Sequence, residues 1–299
     1  MSAAASSTSP FEATPRARRR KLVGRLMEAV CTLAALLAVV VLALVIYAVL
    51  RRGLPVLSWS FLTEVPTVDA FGNTSGGIAN SIVGTLIITG IATLISVPIG
   101  VLIAIFNAEF APARVANGIR LLLNVMAGVP TIVIGVFIFG LLVVGHGYSA
   151  YAASVALSIV MVPIIARSVE EVLATVPGHL REGSLALGAT RAKTVVSVIL
   201  PTATGGIVTA TILAVARAAG ETAPILFTSS IFANAMTTDP SKAMASLPMT
   251  IYLDSEQPSL TAQQQAWAAA LVLMAIVLVA SIAGRLLSLR SRRRIEQSR

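Results

Sequence analysis

Charge is scarce in this 299-residue chain: Asp, Glu, Lys and Arg make up 12% of it against 56% hydrophobic residues, where a soluble domain carries about one-quarter charged residues. That supply cannot cover a water-facing surface of ordinary size, which excludes a conventional soluble fold. Cysteine is nearly absent as well. Cys31 alone permits neither an intrachain disulfide nor a thiolate cluster for a metal. The two histidines, His146 and His179, are far apart in sequence and give no pair at ligand spacing. No nucleophile–base set appears at a useful spacing, so enzymatic chemistry within the chain is not expected. The net charge of +9 resides at the two ends and in short loops rather than as a stripe, which argues against a nucleic-acid surface.

What the chain has instead is long apolar runs, at about 29–50, 79–106, 121–145, 149–166, 195–229 and 265–284. Each approaches or exceeds the roughly 20 residues that an α-helix needs to cross a hydrocarbon core, so the expectation is an all-α membrane protein of six spans. An even number places both termini on one side. If that side is cytoplasmic, 18 of the 22 Lys and Arg residues fall in inner segments, as the positive-inside rule requires. Residues 1–25 read as a disordered basic tail, 26–52 as the first span, 75–288 as the membrane core and 289–299 as a second basic tail. The first run is too long for a signal-peptide h-region and ends on Arg51 and Arg52.

Two longer outer segments, 53–78 with Trp59 and Asp69 and 230–264 with Asp239 and Asp254, read either as solvated connections or as a docking surface. Pro98, Pro130, Pro163, Pro201 and Pro224 interrupt the apolar runs. Each removes a backbone donor and favours a kink. Irregular backbone at membrane depth is tolerated only where protein or a water-filled path satisfies it.

The inner segment 167–193 has an amphipathic pattern: Val169, Val172, Leu173 and Val176, then Pro177, then Leu180, Leu185, Ala186 and Leu187. Proline starts a helix well and glycine ends one, so two short helices are expected to meet near Pro177, the second closing at Gly188. Glu182-Gly183-Ser184, three residues, Gly188, nine residues and Val198-Ile199-Leu200-Pro201 resemble the EAA loop of ABC importer permeases, Glu-Ala-Ala, three residues, Gly, nine residues, Ile, one residue, Leu-Pro. The spacing agrees throughout, with Gly183 and Ser184 at the usual alanines and Val198 at the isoleucine. The resemblance implies that Glu182, Gly183, Ser184, Leu185, Ala186, Gly188 and Pro201 belong to the contact through which an ATPase subunit drives the spans. The chain has no phosphate-cradling Gly-x-x-x-x-Gly-Lys-Ser/Thr sequence, so ATP and magnesium would be bound by that partner.

Arg217 and Glu221 are the clear charges inside a span, four residues apart and so on one face of a continuous helix. Charge at that depth is costly and usually faces a partner or an aqueous path. The pair reads either as a structural ion pair or as an oxyanion site, with Arg217 supplying charge-assisted hydrogen bonds. The segment Arg217-Ala218-Ala219-Gly220-Glu221-Thr222-Ala223-Pro224, with Gly128-Val129-Pro130-Thr131 and Gly76-Gly77-Ile78, resembles the phosphate permease subunits of PstA type, over about residues 75–285. That resemblance implies a type I importer (MetI-like) architecture in a bacterial cytoplasmic membrane. It also implies Arg217, Glu221 and Thr222 on the substrate path, and as partners a second permease of PstC type, two ATPases of PstB type and an external binding protein of PstS type. An importer of another oxyanion such as sulfate or molybdate, or an ion-coupled secondary transporter, remains the alternative.

Overall fold

The structure, a computed structural model, describes residues 15–68, 74–229 and 235–297. Two compact units divide it, residues 1–51 and 52–299. The first is most of α1 (Pro15–Gly53), which has neither glycine nor proline from Arg25 to Arg52 and is rich in Ala and Leu, good helix formers. Its apolar side chains, Leu33, Leu37, Leu42 and Leu44 among them, are exposed. The basic stretch 15–25, expected to be disordered, is helical: Pro15 opens the helix with its φ preset, and Arg, Lys and Leu carry it forward. Residues 1–14 lie outside the described residues, as do Asp69 and the last two residues of the second basic tail. The rest of that tail continues a helix to Gln297.

The second unit begins with α2 (Trp59–Thr63), whose first turn is closed by Ser58 Oγ accepting from the Phe61 amide. A short antiparallel hairpin follows, β1 (Pro66–Val68) with β2 (Thr74–Gly76), in which Pro66 faces Gly76. Gly77 then runs so close to α2 that a Cβ would lie 2.5 Å from the carbonyl oxygens of Phe61 and Glu64. That approach lets Ile78 and Ala79 donate to those same carbonyls, at 2.9 and 3.1 Å, and fixes where α3 (Ala79–Ile105) begins.

The bundle then runs through α4 (Ala113–Gly128), α5 (Thr131–Ile138) and α6 (Ala150–Ala174), then α7 (Gly178–Ala186) and α8 (Arg191–Thr194). It ends with α9 (Leu200–Ala218), α10 (Ala223–Thr228), α11 (Leu247–Glu256) and α12 (Leu260–Gln297). Wide, π-type turns at Phe106–Phe110, Phe139–Val143 and Val195–Ile199 extend α3 and α5 and fuse α8 to α9. The fusion sits just ahead of Pro201, whose missing amide a π-type turn accommodates.

Four helices of the second unit are long and apolar enough to cross a membrane, as is α1, and α4 with α5 makes a sixth passage if that bent pair is one span. The sixth corrects the expected single run over 121–145: it starts earlier, and the kink expected at Pro130 is a complete break. The chain turns by 90° between Gly128 and Thr131, because Val129 and Pro130 are extended and the proline cannot continue α4. Pro98 and Pro163, by contrast, lie inside α3 and α6 without ending them.

The largest interface joins α3 to α6, where small residues let the backbones approach. Ala92, Ser96, Gly100 and Ala104 of α3 are buried with Leu157, Met161 and Ile165 of α6. Ser154 Oγ donates to the Ile88 carbonyl at 3.1 Å and Ser96 Oγ to Met161 Sδ at 3.7 Å. Lipid tails are as apolar as leucine, so such close packing and interhelical hydrogen bonds, not water exclusion, hold membrane helices together. Val169, Leu173, Ile199 and Ala203 extend the same core toward α9.

The 230–264 segment is more than a solvated connection. Its residues Pro240 and Lys242 accept from the first free amides of α6, those of Tyr151 and Ala150, at 3.1 and 2.9 Å. Its α11 packs on α12. Asp254, on α11, is only 8% exposed; Gln257 Nε2 donates to it at 3.1 Å, and burial pushes its carboxyl up to about 6.

Two measurements check this packing. A Cβ at Gly100 would come 2.8 Å from Ile165 Cγ2, so Gly100→Val is expected to destabilise the detergent-solubilised protein by about 1–3 kcal/mol, read as a lower Tm. An acid held above its ordinary 3.8 destabilises the fold progressively as pH rises through that value and past 6, because the unfolded chain then releases its proton first. Asp254→Asn should therefore raise Tm in mildly alkaline buffer and leave it unchanged below the ordinary carboxylate range.

Candidate functional site

The expected fifth span over 195–229 is not one helix. It stops at Ala218 and resumes at Ala223 as α10, because the ring of Pro224 would meet the carbonyl of Gly220 if the helix continued. The last turn tightens instead: Gly220 donates to the Arg217 carbonyl at 3.1 Å and Glu221 to that of Ala218 at 3.0 Å. Thr222 then stands at the start of α10, its carbonyl accepting from Leu226 at 3.0 Å. On the far side α10 is held firmly. A Cβ at Gly135 of α5 would lie 2.9 Å from Pro224 Cα, Thr228 Oγ1 donates to the Pro224 carbonyl at 2.7 Å, and the Ser149 amide to that of Thr228 at 3.3 Å.

The break falls near the middle of the bundle. Gly206 of α9 packs against Val172, close to the C-terminal end of α6. Eleven residues on, a rise of about 16 Å, brings Arg217 to mid-depth. Gly220 agrees with that placement, since it lines a cleft with Ile251, Leu273 and Met274, halfway along the apolar part of α12.

Arg217 is exposed there and Glu221 partly so. The two make no ion pair with each other: among the described residues the salt bridges are Arg120–Glu170 and Arg181–Glu109. The reading of a structural pair on one helical face is thus corrected, because the helix ends between its members. An unpaired guanidinium remains at mid-depth beside apolar residues such as Leu213, which is 59% exposed.

The second expected site is α7. Pro177 precedes it with extended backbone. Gly188 closes it at φ +80°, a left-handed conformation that a side chain would strain, and donates to the Leu185 carbonyl at 2.9 Å. Only one short helix forms, not two, since the stretch through Val169 and Leu173 is the continuing end of α6. No residue of α7 is buried. Glu182, Gly183, Leu185, Ala186 and Gly188 are exposed, and Leu187 is 91% exposed. Ser184 turns inward to share a 2.9 Å hydrogen bond with Thr194 of α8. Pro201 lies apart from α7, at the start of α9.

Sequence reasoning missed the charges that hold this end together. Arg181 Nη2 meets Glu109 Oε1 at 2.8 Å and its Nε the same oxygen at 3.1 Å. Its Nη1 and Nη2 donate to the carbonyls of Val176 and Leu173, at 2.6 and 2.8 Å. Glu170 of α6 accepts from Asn107 at 2.8 Å and from Arg120 of α4 at 2.7 Å. The partners of Glu109 and Glu170 lie 50 to 72 residues away, and no local spacing could have paired them.

An apolar bundle that keeps an unpaired guanidinium at mid-depth is the build of a multi-pass membrane transport subunit. The comparisons with known proteins agree. Residues 96–293 match the family model described as binding-protein-dependent transport system inner membrane component. A probable phosphate transport system permease protein PstA of Methanocaldococcus jannaschii is 38% identical over 81% of this chain and 85% of its own. The phosphate transport system permease protein PstA of Haemophilus influenzae is 32% identical over 89% and 94%. Among solved structures, a chain of the MetNI methionine ABC transporter, in an inward-facing conformation, shares the fold with a TM-score of 0.56. It is 24% identical, and the match covers 72% of this chain and 94% of that one. The chain belongs to the family of binding-protein-dependent importer permeases and, within it, to the PstA type.

If Arg217 and Glu221 are unpaired, their truncations should be independent. In a double-mutant cycle on Tm, Arg217→Ala and Glu221→Ala are expected to add within about 0.5 kcal/mol. Breaking a buried pair would instead cost about 3–5 kcal/mol.

Proposed function

We propose that the chain is one of two membrane subunits of an ATP-driven importer of inorganic phosphate, with Arg217 as the anion-attracting group of the path. The observation that carries this is the guanidinium at the break after α9, exposed and unpaired among apolar helices. A cation in such a place needs an anion, water or a partner subunit beside it, and its planar fork suits a phosphate oxyanion. Glu221, partly exposed one turn away, moderates the attraction so that the anion can leave. Thr222 adds a hydroxyl at the mouth of α10. The relatedness to phosphate transport system permeases supports phosphate over sulfate or molybdate.

The second permease, homologous to this one, completes the path on the face bearing Arg217. Two ATPase subunits bind ATP and magnesium and receive the exposed face of α7 from Glu182 to Gly188. An external binding protein delivers phosphate at the end where the 230–264 segment caps α6, and both termini are cytoplasmic.

Uptake of labelled phosphate by a strain lacking the native gene tests the reading. The unaltered chain should restore uptake that excess sulfate or molybdate leaves intact. Arg217→Ala should lower it about 100-fold, the upper range for losing a charge-assisted contact, at unchanged membrane abundance. Leu185→Asp should abolish co-purification of the ATPase. Uptake retained by Arg217→Ala at normal abundance would overturn the assignment.

A further inference from the structure

The wide turn that ends α3 carries two polar side chains, and each is bound to a different neighbour. Asn107 donates to Glu170 of α6, which also holds Arg120 of α4. Glu109 holds Arg181 of α7. In that turn the Ala111 amide reaches back to the Phe106 carbonyl at 2.8 Å. The extra residue in the loop re-aims side chains relative to an α-helix, and such turns recur at functional sites.

The covalent connections of α7 are both turns: extended backbone at Pro177 before it and left-handed backbone at Gly188 after it. With no fully buried residue, α7 meets the bundle through Leu180, which packs against the main core, through the Ser184–Thr194 hydrogen bond to α8, and through Arg181. Of these, Arg181 is the one charged attachment, and the one that reaches α3. All three of its guanidinium nitrogens are engaged, on the Glu109 carboxylate, on the Leu173 carbonyl in the last turn of α6 and on the Val176 carbonyl just past it. The side chains are 26% and 10% exposed, so water screens the bond less than it would a surface pair.

We propose that Arg181 is a positioning residue for coupling: its fork ties α7 at once to the wide turn of α3 and to the end of α6, so that a push on α7 moves both helices together. The proposal rests on the reading of α7 as the ATPase contact. Lysine cannot replace the fork, because an ammonium is a point charge without the planar set of donors that reaches two carbonyls and a carboxylate together.

The test uses the assembled complex in proteoliposomes, with its ATPase and binding protein, and reads phosphate moved per ATP hydrolysed. Glu109→Gln lies outside α7 and removes only the charge that Arg181 grips. It should still co-purify with the ATPase and hydrolyse ATP, while phosphate per ATP falls about tenfold, the scale of a typical coupling between sites. Arg181→Lys should fall by a similar factor. A wild-type ratio in either variant overturns the proposal, and so does a loss of ATPase co-purification in both, which would make the bond a local support of α7. No ATPase on the unaltered chain would instead overturn the functional reading and this proposal with it.

Discussion

A backbone amide or carbonyl left open in hydrocarbon costs several kcal/mol, and this constraint decides where the chain is allowed to stop being helical. Three interruptions among the described residues of the second unit show the remedy. At Val195–Ile199 a widened turn absorbs the coming proline. After Ala218 the amides of Ala219, Gly220 and Glu221 turn back onto the carbonyls of Val215, Arg217 and Ala218. At the start of α6 the 239–242 segment and Thr228 supply the acceptors. The bundle holds a break at mid-depth with α10, on its far side, packed against α5 and α6.

Once the break is fixed, the electrostatics follow. A helix running through Glu221 would have stacked it on Arg217 and neutralised both, leaving a dry structural pair. Stopping the helix at Ala218 separates them, so the cation is available to whatever occupies the bundle face beside it. Geometry at one proline thus converts a self-satisfied pair into an open charge.

Much of this was legible in the residues. Apolar runs located every membrane passage, and the spacing from Glu182 to Pro201 located α7 and its closure at Gly188. The alternating roles of the prolines were not. Pro98 and Pro224 look alike in sequence, yet one sits inside a continuous helix and the other starts a new one, a difference set by what packs around each. In the third passage Pro130 announced a kink, but its right-angle size is a tertiary outcome. Least legible were Glu109, Glu170 and Arg181: each looks like an ordinary solvated loop charge, and only the fold brings them together.

The length of α1 has a consequence of its own. Its 39 residues make a rod of about 58 Å, nearly twice the roughly 30 Å depth of a hydrocarbon layer. Tilt alone absorbs only part of that excess. Much of the remainder is the stretch from Arg16 to Arg25, whose helical backbone carries too many basic residues for a hydrocarbon layer. Sinking the rod further would carry that stretch into the lipid tails, so its charge sets how deep the apolar segment can go.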